Sequence, residues 1–143
     1  MSQPKESTAQ TRVANLSLWV NDIHKSRQFF TDIVGLTELG AETGEHPYVT
    51  YGEKGVLIFA LVQAAEALPR KSGWARWPAN PDANDSWEPY RTILVPNLEE
   101  VLSRCRKYKV EMRQDEPVSF GNGLMVFIEV KDPDGNTWAL RQA

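Results

Sequence analysis

Hydrophobic and polar residues alternate along residues 13–20, where Leu16, Leu18 and Val20 interleave with Asn15, Ser17 and Trp19. A period of two over this length predicts a strand whose faces meet different surroundings. Asn21-Asp22 follows and supplies side-chain acceptors for the free amides of a helix start. Ile23, Phe30, Ile33 and Val34 then recur at helical spacing, and Gly35 stands where a left-handed residue would close the helix. Strand-like runs follow at 36–39, 48–51 and 56–62, the last two joined by the turn Gly52-Glu53-Lys54-Gly55.

The same order returns after a linker. Residues 90–95 alternate as a strand, and Asn97 caps a second helix with Glu100 in the capping-box position. Leu98, Val101, Leu102, Cys105 and Tyr108 form that helix's apolar seam. Extended runs are predicted near 110–112, at 124–130 and at 137–141, with the turn Asp132-Pro133-Asp134-Gly135 before the last. Asn97 stands 75 residues after Asp22, and Gly135 stands 80 after Gly55, so a structural duplication is the economical reading. The expected organisation is a flexible N-terminus over 1–12 and one domain over 13–143, divided into module one (13–62), a linker (63–89) and module two (90–142).

Length and composition narrow the possibilities. A chain of 143 residues with 41% hydrophobic and 24% charged side chains is the size and balance of one globular domain. No run approaches the roughly 20 apolar residues of a membrane helix, and the polar N-terminal segment has no signal-peptide core. The one cysteine, Cys105, has no partner for an internal disulfide and reads as a small core residue, which agrees with a cytoplasmic protein. A net charge of −3 and scattered basic residues argue against nucleic-acid binding; Arg104, Arg106, Lys107 and Lys109 read as a solvated helix face. With His24, His46 and Cys105 alone as nitrogen or sulfur donors, a structural zinc site is excluded.

The opening LSLWVNDIHKSRQFFTDIVGL and the closing VKDPDGNTWAL, at this separation and with this duplicated order, resemble the vicinal oxygen chelate superfamily, which contains glyoxalase I, extradiol dioxygenases and bleomycin-resistance proteins. The resemblance covers residues 13–142. It implies an α+β fold in which two tandem βαβββ modules pair into a curved mixed sheet around a cavity. Two features depart from the family's pattern: Lys109 stands where the second helix would usually end in glycine, and the linker is long.

Enzymes of that superfamily hold a divalent metal on the cavity floor. Carried over by spacing from Asp22, Asn97, Gly135 and Gly55, the four ligand positions fall on Asn15, Tyr90, Ala139 and Phe59. Ala and Phe have no donor atom, Asn offers a weak neutral oxygen, and neutral Tyr is a poor ligand for hard cations. One-residue slips land on Ala14, Leu16, Ile58, Ala60, Arg91, Trp138 and Leu140, which are no better. No metal and no other cofactor is therefore expected.

Alternation from those positions puts Asn15, Ser17 and Trp19 in the cavity, with Leu57, Phe59 and Leu61 from the fourth strand. The second module adds Tyr90, Thr92 and Leu94, then Met125, Phe127 and Glu129, then Thr137, Ala139 and Arg141. Trp19, Phe59, Tyr90 and Phe127 make a lining suited to flat aromatic ligands; the competing reading is a collapsed aromatic core. In the linker, Trp74, Trp77 and Trp87 need cover, from a ligand, a second subunit or their own domain. Glu129, the one acid inside, either pairs with Arg141, anchors a cationic ligand, or works as a general base with a raised pKa. His46, a lone loop histidine, carries little weight.

Three functions from different classes follow. The leading one is a metal-free binding protein for a small aromatic molecule, cationic if Glu129 and the acidic balance steer it, of the antibiotic-resistance or sequestration type, with Asn15, Trp19, Phe59, Trp74, Trp77, Trp87, Tyr90, Phe127, Glu129 and Ala139 as its site and no catalytic residue. The alternative is a metal-independent isomerase or cyclase using Glu129 or Tyr90. A metal-dependent lyase or dioxygenase is disfavoured by the substituted positions. A homodimer is the expected assembly, with the cavity closed within one chain or across the subunit boundary.

Overall fold

Side-chain caps open both helices where the sequence puts them. A computed structural model describes residues 11–76 and 86–143. In it Asp22 accepts from the amides of His24 and Lys25 at 3.0 and 3.2 Å, and Asn97 accepts from Glu100 N at 3.2 Å. These bonds satisfy amides that a helix start leaves without partners. The first helix, α1 (Ile23–Arg27), runs on into a π-helical stretch, Gln28–Val34, that ends on Gly35 at φ 94°. The wider turn lets the adjacent Phe29 and Phe30 both be buried. The second, α2 (Leu98–Lys107), buries Leu98, Val101, Leu102 and Cys105 of the predicted seam, whereas Tyr108 caps the helix and stays exposed. Burial pushes the Cys105 thiol up to about 11, which keeps it an inert core group.

Two four-stranded mixed sheets carry these helices. The first holds β1 (Leu16–Val20), β2 (Glu38–Glu42), β3 (Tyr48–Glu53) and β4 (Val56–Gln63), in the order β1-β4-β3-β2. The second holds β5 (Thr92–Val95), β6 (Val118–Phe120), β7 (Met125–Lys131) and β8 (Thr137–Gln142), in the equivalent order β5-β8-β7-β6. In each, the first strand pairs with the last in parallel and the remaining pairs are antiparallel. This is the duplicated α+β architecture expected, without closure into a barrel.

β1 and β5 start later than expected, at Leu16 and Thr92, and three other strands differ in ways that have a visible cause. β2 begins at Glu38, not residue 36, because Leu36 N still bonds to Phe30 O in closing the helix. β6 lies at Val118–Phe120, whereas residues 110–112 contribute a single bridge, Met112 to Val130. There Val110 N bonds back to Cys105 O, with Lys109 at φ 57° in the left-handed region, so the chain leaves the helix too late to start a ladder. The third difference is a bulge in β4. Tyr51 pairs with Phe59 but Gly52 pairs with Leu57, which leaves Ile58 without a counterpart.

One apolar core serves both sheets. Val20, Phe30, Tyr51, Phe59 and Leu61 from the first module pack in the same cluster as Ile93, Leu102, Ile128, Trp138 and Leu140 from the second. Across the join the Phe30 and Phe59 rings meet Trp138 edge-on, at centroid distances of 5.0 and 5.4 Å. Polar bonds reinforce it: Arg104 Nε donates to Ile33 O at 2.7 Å, and Asn21 Nδ2 donates to Asp134 Oδ1 at 2.8 Å. Among the described residues no helix is long and apolar enough to cross a membrane.

The Asp132–Gly135 turn also fixes the linker. Lys71 N bonds to Asp134 O at 3.0 Å, and a Cβ on Gly135, whose φ is +82°, would lie 2.2 Å from Lys71 O. Gly55, at φ +75°, has nothing within 4 Å. The left-handed conformation alone costs an alanine roughly 1–2 kcal/mol. Gly55→Ala should lose about that, and Gly135→Ala should lose at least about 1 kcal/mol more because backbone must move. Equal losses in urea denaturation would mean the linker does not press on the turn.

Candidate functional site

The sheet face turned away from the common core is the bowl face of each module. In β1 the core takes Val20, with Leu18 packed against it, so Ser17 and Trp19 lie on the bowl face, followed outward by Asn15. In β5 and β8 the core takes Ile93, Val95, Trp138 and Leu140, leaving Thr92, Leu94, Thr137, Ala139 and Arg141 on the bowl face. In β7 it takes Ile128 and Val130, leaving Met125, Phe127 and Glu129. These assignments agree with the alternation read from the sequence.

β4 does not agree. The bulge at Ile58 shifts the strand by one residue, so Phe59 and Leu61 face the core and Ala60 takes the bowl position that pairs with Ser17. Phe59 stacks on Tyr51 at 5.8 Å and meets Phe30 edge-on at 5.1 Å. It is a core residue whose edge borders the groove between modules, not a bowl-lining one. Ala60 is also the counterpart of Ala139, which pairs with Thr92 in the second module as Ala60 pairs with Ser17 in the first.

The ligand positions that the family resemblance implies, Asn15, Phe59, Tyr90 and Ala139, become Asn15, Ala60, Tyr90 and Ala139 once the bulge is counted. Asn15 Nδ2 points to Ser17 Oγ at 3.4 Å. Among the described residues no three His, Cys, Asp or Glu side chains come together. This donor set does not fit a divalent cation, which needs about three good protein ligands.

Two recesses adjoin here, one on the bowl face and one between the modules. One of about 60 Å³ is lined by Tyr90, Thr92, Met125, Phe127, Ala139 and Arg141. The other, about 310 Å³, is an apolar groove between the modules whose walls include Leu16, Ile58, Phe59, Leu94 and Trp138. Thr92 lines both, so they adjoin. Beyond them Trp19 stands 60% exposed, beside Ala60 and Val62 on the same face.

Glu129 is 3% exposed and lies on the bowl face of β7, two residues along from Phe127. Its carboxylate accepts from Arg113 Nη1 at 3.3 Å and from Gln114 Nε2 at 2.8 Å. The anticipated pairing with Arg141 is replaced by these two loop residues, which Arg113 N bonding to Glu129 O brings into place. The Tyr90 phenol is held far above its ordinary range, chiefly by burial and then by the negative charge of Glu129 nearby. Tyr90 therefore keeps its proton at neutral pH.

The linker walls off the other end of this bowl. Ala75 N donates to Thr137 Oγ1 at 2.7 Å, and Lys131 Nζ donates to Ser72 O at 2.8 Å. Trp74 lies under the Lys131 ammonium, 4.8 Å from its ring centroid, with the Arg113 guanidinium 5.9 Å away. These cations hold Trp74 to its own module. Trp87 is 78% exposed beneath Arg76 at 4.8 Å. Trp77 and most of the expected flexible N-terminus lie outside the described residues. No pattern in the sequence points to Arg113 or Gln114; the available signal is that a buried acid needs a cationic or donor partner nearby.

Residues 12–140 match the Glyoxalase/Bleomycin resistance protein/Dioxygenase superfamily. Among curated proteins no relative matches. Among solved structures, the genomically encoded fosfomycin resistance protein FosX of Listeria monocytogenes is similar at TM-score 0.64 and 14% identity, covering 94% of this chain and 95% of that one. A glyoxylase/bleomycin resistance protein/dioxygenase domain from Frankia sp. EAN1pec aligns at TM-score 0.64 and 14% identity, covering 94% and 99%. TnmS3, an antibiotic binding protein from Streptomyces sp. CB03234, aligns at TM-score 0.59 and 22% identity, covering 95% and 98%. At these identities the likeness is one of fold.

Proposed function

Since the chain belongs to the Glyoxalase/Bleomycin resistance protein/Dioxygenase superfamily, we propose that it uses the family's bowl, without a metal, to bind a small aromatic molecule. One observation carries this reading: the positions that would ligate a cation hold Asn15, Ala60, Tyr90 and Ala139, and around them stand Trp19, Tyr90 and Phe127. Such a surface stacks and packs; it has no means of polarising a substrate as a Lewis acid. The fold likeness to an antibiotic binding protein and a fosfomycin resistance protein agrees with a resistance or sequestration role.

We further propose that the protein works as a homodimer in the cytoplasm. A recess of about 60 Å³ is far below the roughly 300 Å³ that bound drug-sized ligands occupy, so a second wall is needed. Leu94 at 57% and Trp19 at 60% exposure leave apolar surface on the bowl side for a second copy and the ligand to cover together.

A second reading rests on Tyr90 lining the recess with the buried carboxylate of Glu129 on the same sheet face: a phenol and a carboxylate are acid–base groups for a metal-independent isomerisation or cyclisation. The two separate on the fate of the compound. Titrating tryptophan fluorescence with planar antibiotics and aromatic metabolites should give saturable quenching, with the compound recovered unchanged by mass spectrometry. An altered compound supports the enzyme. Trp19→Ala should weaken binding at least tenfold, about 1.4 kcal/mol; unchanged affinity would remove Trp19 from the site.

A further inference from the structure

Arg141 is the one charged group of the small recess whose charge the protein leaves unmet. Strand register sets it opposite Phe127 on β7 and beside Leu94 on β5, on the bowl face. Its guanidinium Nη1 reaches Met125 Sδ at 3.4 Å, a weak acceptor. Glu129, the nearest acid on this face, is engaged by Arg113 and Gln114. Among the described residues no carboxylate stands within 4.0 Å of Arg141.

The surroundings of that cation are apolar or hydroxylic: Met125, Phe127 and Ala139 on one side, Thr92 and Tyr90 on the other. Covering a lone guanidinium with a neutral ring strips its water and returns no opposite charge, which is unfavourable. An oxyanion returns both the charge and paired acceptors for the guanidinium fork. Arg141, the one charged side chain lining the recess, therefore discriminates against a cationic ligand.

Resting on the aromatic-binding reading above, we propose that the ligand is an acidic aromatic compound, with a ring-borne oxyanion (carboxylate, sulfonate or phosphoryl) seated on Arg141, and that Arg141 determines this preference. The ring lies over Phe127 and reaches toward the groove past Thr92.

A matched pair of fluorescent probes tests this: 8-anilino-1-naphthalenesulfonate and N-phenyl-1-naphthylamine, which share the ring system and differ in the sulfonate. The protein should bind the sulfonate at least tenfold more tightly than the amine, and this ratio should shrink as salt rises. Arg141→Met should bring the ratio to about one, and Arg141→Lys should keep part of it, with circular dichroism confirming both variants folded. A ratio near one in the unaltered protein, or a ratio that survives Arg141→Met, overturns the inference while aromatic binding stands. Binding of neither probe overturns the aromatic reading and this inference with it.

Discussion

Phe30→Ala should lower the free energy of unfolding by about 3–5 kcal/mol, the range for removing a fully buried aromatic ring. The ring is 0% exposed and lies where the two modules meet. It touches Phe29 at 4.8 Å, Phe59 at 5.1 Å and Trp138 at 5.0 Å, each edge-on, and Tyr51 lies 6.4 Å away. Truncation thus removes the ring's own transfer energy and the contacts that join the first sheet to the second. The cavity cannot collapse easily, because its walls are rigid rings on three different strands. Against a typical total of 5–15 kcal/mol, a loss of this size leaves the fold marginal. The melting temperature should fall by roughly 10 °C, given about 2–4 °C per kcal/mol for chains near this length. Phe30→Leu, which refills part of the space, should recover about half. Chemical denaturation of both variants measures this; a loss below about 1 kcal/mol for Phe30→Ala would mean the modules do not depend on this contact.

The residues around Phe30 also mark how far sequence patterning reaches. Both caps, the α2 seam up to Cys105, and the bowl-facing side chains of β1, β5, β7 and β8 follow from residue type and from periodicities of 3.6 and 2, counted from Asp22, Asn97 and Gly135 and, on β7, from the core-facing residues. Phase is preserved there because no extra residue intervenes. On β4 the count ran from Gly55 across Ile58, and a bulge carries no pattern in the hydrophobicity of Val-Leu-Ile-Phe-Ala-Leu-Val, where every residue is apolar. Phe59 consequently moved from the expected bowl to the core. Since Ala60, which replaces it, also lacks a donor atom, the metal inference does not depend on that error. Residues 110–112 are extended and partly apolar, so they read as β6, yet the Val110 amide is spent on closing α2 and the segment reaches only a single bridge, flanked by Arg113 N to Glu129 O and Lys131 N to Glu111 O. The partners of Glu129 come from residues 113 and 114 in irregular chain, where no period exists to read. Long-range pairing of that kind is a tertiary fact, and it decided the sign of the charge that the recess leaves open.

The second large effect is expected at Asp132, whose carboxylate organises the turn beneath the linker. It is 2% exposed. It accepts from Asp134 N at 2.9 Å and Asn136 N at 3.0 Å on one oxygen, and from Asn136 Nδ2 at 3.0 Å and Trp138 Nε1 at 2.9 Å on the other. Asp132→Ala leaves four donors without an acceptor in a buried place. Each unsatisfied group costs about 1–3 kcal/mol before relaxation, so a net loss of about 3 kcal/mol is expected. Asp132→Asn should not rescue it, because its amide nitrogen must face donors on one side or the other. Titration adds a second signature. Burial is the largest influence on this carboxyl and holds its pKa above the ordinary 3.8, against the pull of the four hydrogen bonds. The folded protein then takes up this proton before the unfolded chain does as the pH falls. The resulting contribution to stability is fully present below the unfolded pKa and is lost as the pH rises through the folded one. The stability gap between the unaltered protein and Asp132→Ala should accordingly widen between pH 7 and pH 4 in urea denaturation. A gap that narrows over that interval would mean the hydrogen bonds, not burial, govern the carboxyl, and that its charged form is the one the fold prefers.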